Sequence, residues 1–296
     1  MKSWAIATNA LLALLPAAVP AQPSPAAPSP AGSWRLLVGA SLAGPSFAAS
    51  YASSYAPPLG GTAHVSAATQ TLPLDAGWGP GLRLGIERRL GSHVALQLLG
   101  EYARADVAGA PGQYDLRLAY SSRPPPSYDP VPVEVLRSES RPGATGRLKT
   151  WTVALGLSAW LDAGPHARLG VTAGPAWLHA KGEAESLVYT TYTLGGHSVL
   201  FSDDHLVSFE FPAGGLGLDV GAFVEADLGP SLSLRADARY AFCPERDAAV
   251  TLDEVVNADE VVQSVPLRDI QAGLAPAPVR LDASAFRAAL SLVIRF

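Results

Sequence analysis

Two short clusters carry the residue types of hydrolytic chemistry. His197-Ser198 sets an imidazole beside a hydroxyl, the pairing that activates a serine nucleophile. Asp203-Asp204-His205 sets carboxylates beside an imidazole, the pairing that activates a water. Neither spacing is diagnostic of a site, and both suit the polarity of a surface loop. The other histidines, His64, His93, His166 and His179, are scattered. The lone Cys243 excludes an internal disulfide and is expected to be a buried small apolar residue near a strand end. Zinc-type Cys/His spacing, a phosphate loop and a nucleotide fingerprint are all missing from the sequence. No catalytic residue, metal ligand or cofactor is therefore assigned. An acidic stretch (Glu245, Asp247, Asp253, Glu254, Asp259, Glu260, Asp269) fits a solvated face, with divalent-cation bridging as the functional alternative.

A larger set of charges sits at alternate positions of apolar segments: Arg35, Arg83, Glu87, Arg89, Glu101, Arg168, Asp219, Glu225, Asp227, Arg235, Asp237, Arg239, Arg287 and Arg295. Their chemistry depends on what positions them. Side chains alternate across a strand, so each segment has one charged and one apolar face. The clearest case is the C-terminal stretch. Phe286, Ala288, Leu290, Leu292, Ile294 and Phe296 share one parity, while Arg287, Ser291 and Arg295 share the other. Seven further segments alternate in the same way, at about 33–46, 77–90, 93–106, 150–161, 166–180, 214–227 and 231–242.

The connections sort by length. Gly91-Ser92, Asp162–Pro165 and Gly229-Pro230 are tight turns, whereas 47–76, 107–149, 181–213 and 243–281 are long. Short and long alternate strictly. Val188–Tyr192 and Val199–Phe201 flank Gly195-Gly196 and are expected to continue the fifth and sixth strands as a hairpin. Segments 114–120 and 131–136 are expected to do the same above the third and fourth. The long connections carry tyrosines (Tyr51, Tyr55, Tyr114, Tyr128, Tyr189, Tyr192) suited to recognition or packing.

The composition is 48% hydrophobic, yet no stretch beyond the N-terminus approaches 18 apolar residues, so helical spans are excluded. A formal net charge of −5 argues against nucleic acid. The start has the form of a cleaved secretory leader over 1–21. Lys2 precedes an apolar run, Ala5 to Leu15, and the small-residue Val19-Pro20-Ala21 precedes Gln22. Residues 22–32, almost wholly Pro, Ala and Ser, are expected to be a tether, and 33–296 the folded domain.

A terminal Phe296 behind apolar Leu290, Leu292 and Ile294, with sorted loops, resembles the eight-stranded outer-membrane β-barrels of Gram-negative bacteria, the OmpA-barrel, OmpX and opacity-protein type. The resemblance implies an all-β, antiparallel, up-and-down transmembrane barrel of about eight strands, with charges in the lumen and long loops outside. It implies outer-membrane localisation, contact with membrane lipid and lipopolysaccharide, and a final strand read by the barrel-assembly machinery. Such a lumen is just filled by side chains, so its charges must pair. The expected function is non-enzymatic surface display by a monomer, for adhesion, ligand contact or envelope integrity. A small-solute channel and a lipid-modifying enzyme or protease are the alternatives.

Overall fold

The computed structural model describes residues 33–46, 48–55, 65–109, 112–122, 131–141, 143–193, 200–257 and 274–296. The expected leader and tether, 1–32, lie outside the described residues, as do His64, His197-Ser198, Asp259, Glu260 and Asp269. Among the described residues every regular element is a strand.

Eight strands close a ring: β1 (Trp34–Pro45), β2 (Gly79–Arg89), β3 (Val94–Gly109), β4 (Thr145–Asp162), β5 (Ala167–Thr193), β6 (Leu200–Asp227), β7 (Leu232–Phe242) and β8 (Ala285–Arg295). Each pairs antiparallel with its neighbour in sequence, and β1 pairs with β8 to complete the circle. At the seam Phe296 N donates to Trp34 O at 3.1 Å, and Trp34 N donates to Phe296 O at 3.3 Å. Closure leaves no edge strand in the ring, which a sheet with an apolar outer face requires. The three tight turns and both described ends share one end of the barrel, here the turn end; the opposite end is the loop end.

All eight expected strands are present. The loop-end limits of β3, β4, β5 and β6 reach further than the apolar alternation that marked them, most of all in β5 and β6, which stay paired out to Thr193 and Leu200. The hairpin expected above β3 and β4 is found as Gly112–Ser122 paired with Val131–Arg141. Its first arm also pairs with Val65–Ala76, which in turn pairs with Ala48–Tyr55. That second hairpin lacks strong alternation and was not anticipated from the sequence.

The outer face between the two ends is apolar. Leu82, Leu84, Val153, Leu155, Leu157, Val171, Leu216, Leu218, Leu290 and Leu292 are all exposed, Leu216 at 72%. Aromatic residues bound this band: Trp34 and Phe296 towards the turn end; Trp78, Tyr102, Trp151, Trp177 and Phe242 towards the loop end. From Trp34 to Gly44, which abuts Trp78, is ten residues. At about 3.3 Å each and a tilt of about 40°, that spans about 25 Å, the height of a bilayer-facing band.

Candidate functional site

The alternation puts every charge of the sequence-derived set on the inner face, and closure brings them together. Near the turn end Arg35 Nη1 lies 2.8 Å from Glu225 Oε1 and a second Arg35 nitrogen contacts Glu87. Arg168 reaches Glu225 at 3.0 Å and Asp227 at 3.2 Å, and Arg295 contacts Asp227. Arg235 joins this layer to the next, meeting Glu87 at 3.1 Å and Asp237 at 3.2 Å. Above it Arg83 bridges Glu101 (2.9 Å) and Asp237 (3.1 Å). Arg239 meets Asp219 at 3.1 Å, and Arg287 contacts the same carboxylate and approaches Glu101 at 3.6 Å. Each of these carboxylates meets two or three guanidiniums. Gln97, which the sequence set omits, donates to Glu87 at 3.4 Å and accepts from Arg239.

Most of these groups are fully buried; Arg35, Glu87, Arg235 and Asp237 are at most 2% exposed. Charges so far from water are tolerable only because each faces opposite charge with oriented hydrogen bonds. Arg89 departs from the expected pairing. It forms no ion pair among the described residues; its Nη2 donates to Ser92 O at 3.1 Å, and its guanidinium sits 5.1 Å from the centroid of Trp160. Arg35 lies over the same ring, and Arg235 lies 3.5 Å from the Phe223 centroid. Trp160 and Phe223 share the inner parity of their strands, but aromatics on a charged face escaped the sequence reading. Gly170 faces Phe223, and a Cβ there would overlap the ring.

Beyond the loop-end aromatics the polarity inverts along uninterrupted strands. On β3 the outward row changes from Tyr102 to Arg104 and Asp106, while Ala105 and Val107 turn inward. On β4 Trp151 gives way to Lys149 and Arg147 outside and Leu148 inside. On β5 the outward residues become Lys181 and Glu183, and on β6 Glu210 lies outward between inward Phe209 and Phe211. The register shows no slip over these stretches, so the inversion is one of sequence and not of a bulge.

The interior at this level is an apolar core. Leu74, Val107, Leu148, Leu178, Val207, Phe209 and Phe211 pack with Cys243, Ala248, Val279, Leu281 and Ala283 from the last long connection. That connection enters the mouth as a short ribbon, Arg246–Ala248 paired with Val279–Leu281. Ser284 ties its base to the ring: Cys243 N donates to Ser284 Oγ at 2.9 Å, and Ser46 N donates to Ser284 O at 2.7 Å. Cys243 is buried, as expected, and burial pushes its thiol pKa up.

On the outer surface just past the aromatics lies a recess of about 680 Å³, lined among others by Asp106, Arg147, Glu183, Glu185, Glu210 and Asp253. Lys149 Nζ meets Glu183 at 2.5 Å and Lys181 Nζ meets Glu210 at 2.6 Å beside it. The Lys149 hydrogen bond holds the Glu183 carboxyl below its usual range. Desolvation, then the neighbouring Glu210 carboxylate, pushes Asp253 up. Of the acidic run in the last connection, Asp253 is the member that lines the recess among the described residues. His205, with Asp203 and Asp204, falls on the outer reach of β6, where pairing joins it to Val188. Among the described residues no cluster of three or more His, Cys, Asp or Glu is arranged to hold a metal ion.

No family model matches the chain, and no curated protein does. Among solved structures, the chain is similar to the outer membrane protein OprG from Pseudomonas aeruginosa, at 9% identity and a TM-score of 0.45, over 90% of this chain and 96% of that one. The outer membrane protease OmpT from Escherichia coli gives 10% identity and a TM-score of 0.41, over 88% and 97%. The attachment invasion locus protein Ail of Yersinia pestis gives 12% identity and a TM-score of 0.34, over 90% and 99%.

Proposed function

We propose that this chain is a monomeric, non-enzymatic outer-membrane barrel, closed to solutes, whose function resides in the β-structure raised at its loop end. The observation that carries this reading is the polarity inversion along continuous strands. Below the loop-end aromatics the barrel is apolar outside and charged inside, as a bilayer demands; above them β3 to β6 are charged outside and apolar inside, as water demands. The same inversion gives two stacked fillings, an ion-paired layer and an apolar core, and both oppose solute passage. The loop end then faces the cell exterior, the turn end faces the periplasm, and the last strand carries the signal for assembly.

Planar-bilayer recording tests closure. The purified barrel is expected to give no steady conductance; sustained porin-sized currents would reject the closed reading. Orientation is tested in a Cys243→Ser background with a membrane-impermeant maleimide on intact cells. Thr251→Cys should label and His166→Cys should not. The reverse pattern would overturn the assignment of ends.

A further inference from the structure

The turn-end layer of the lumen carries more guanidiniums than carboxylates. Arg35, Arg89, Arg168, Arg235 and Arg295 share it with Glu87, Glu225 and Asp227. Arg35 and Arg235 take Glu87; Arg35, Arg168 and Arg295 take Glu225; Arg168 and Arg295 take Asp227. Asp162, the next residue of inward parity on β4 after Trp160, is exposed and lies 3.6 Å from both Arg168 and His93. Arg89 is thus left, among the described residues, with Ser92 O and the Trp160 ring, although it is only 8% exposed. A charge so buried without an opposite charge is costly.

The buried atoms around that ring are short of acceptors. Arg89 Nε, Arg35 Nε, Trp160 Nε1 and Ser158 Oγ have no hydrogen-bond partner among the described residues. Their side chains are neighbours. Arg89 stands opposite Ala95 and Ala95 opposite Ser158, so in this row only a methyl group separates the arginine from the serine. Trp160 is the next inward residue on β4, clusters with Ala95 and Phe223, and has the Arg35 guanidinium 5.5 Å from its centroid. We propose that the turn end of the lumen binds one small inorganic anion of the halide class, held by Arg89 Nε, Trp160 Nε1 and Ser158 Oγ, with Arg35 adding charge. Guanidinium and indole N–H groups can only donate. Water would accept from them but would bring two further hydrogens and no charge to offset Arg89; an anion supplies acceptor and charge together. Guanidinium is weakly hydrated, which suits chloride or bromide. A lumen just filled by side chains has room for a single ion and none for a larger solute. The anchor of Arg89 on the Gly91-Ser92 turn sets the site just inside the turn end, where the ion enters.

Thermal unfolding of the whole barrel in detergent, with chloride replacing gluconate at fixed ionic strength, tests this. The midpoint should rise with chloride along a saturating curve. Trp160→Phe keeps the ring and removes its N–H, so it should raise the half-saturating chloride concentration several-fold. Arg89→Gln should abolish the dependence, whereas Arg104→Gln, on the outer face, should leave it intact. Heat-dependent mobility in SDS shows whether each variant is folded. Crystals of the unaltered protein grown in bromide should show an anomalous peak beside Arg89 and Trp160, a reading that stands even if Arg89→Gln does not fold. Equal midpoints in chloride and gluconate, a chloride dependence retained in Arg89→Gln, or water without bromide at that place would overturn the site.

Discussion

Arg35 and Glu225 are 190 positions apart in sequence and meet inside the barrel at 2.8 Å, with almost no exposure of either side chain. Glu225 also contacts Arg168 at 3.0 Å and Arg295 at 3.6 Å. It is the hub of the turn-end layer. Glu225→Gln keeps the shape and takes one carboxylate charge from three guanidiniums, leaving Arg35 to Glu87 and Arg168 and Arg295 to Asp227, so it should destabilise the barrel by at most about 3–5 kcal/mol, the cost of breaking a buried pair outright. Reversible urea unfolding in lipid vesicles measures this. A loss below about 1 kcal/mol would mean that water screens the layer as it screens a surface pair.

The ring itself was legible in the sequence because two independent signals agreed: period-two alternation gave the strands and loop sorting gave their ends. The charged lumen followed from parity. Trp160 and Phe223 did not, since the same parity argument predicts polar groups at their positions. The apolar core of the mouth was also missed, for a physical reason. Lys149, Lys181 and Glu210 face outward where Leu155 and Leu218 face outward lower down, so a single rule of apolar-out fails at the bilayer boundary. The flip between Trp151 and Lys149 was present in the sequence as a change of phase. The partners of Ala48–Tyr55 and Gly112–Ser122 depend on long-range pairing, which local alternation does not encode.

The depth of the apolar band gives a second test. Leu157 is exposed near mid-band on β4, and Leu161 is exposed close to the turn end. Leu157→Arg should cost about 2–4 kcal/mol and Leu161→Arg about 0–1 kcal/mol, following the penalty for an arginine at the midplane against the interface. Vesicle refolding titrations resolve the difference. Equal costs at the two sites would mean that this band does not face hydrocarbon.

In the mouth, Phe211 packs against Gly182, where any Cβ would overlap its ring. Phe211→Ala should cost about 3–5 kcal/mol through lost burial and the cavity left behind. Gly182→Val should also destabilise, because strand pairing holds β5 and β6 too firmly for the ring to retreat. The readout is thermal unfolding in detergent. Tolerance of both changes would show that the apolar filling is loosely packed.

Two carboxyls of the recess should be displaced in opposite directions. Lys149 lowers the Glu183 pKa, so that group stabilises the fold above its unfolded pKa and the contribution fades as pH falls through the folded value. Asp253 is raised, chiefly by burial and then by Glu210, so ionising it opposes folding and its protonation on acidification relieves that strain. Carboxyl carbon NMR should therefore show Glu183 protonating below the usual glutamate range and Asp253 above the usual aspartate range. Displacements in the opposite directions would mean that Lys149 and Glu210 do not act on these two carboxyls as placed.

The last residue can separate structure from recognition. Phe296 closes the seam through its backbone, donating to Trp34 O at 3.1 Å and accepting from Trp34 N at 3.3 Å, while its side chain is 70% exposed. Leu290, Leu292 and Ile294 precede it on the same outer face, also exposed. Phe296→Ala keeps both seam hydrogen bonds and removes only an outward ring, so refolding of the purified chain into vesicles should be nearly unchanged. If the terminal aromatic is part of an assembly signal, the same variant in cells should accumulate poorly in the outer membrane and appear as periplasmic aggregate or fragments. Deleting Phe296 altogether should impair both, because the seam bonds go with it. Normal cellular assembly of Phe296→Ala would reduce the residue to a structural clasp, and poor refolding of Phe296→Ala in vitro would show that the ring itself stabilises the seam.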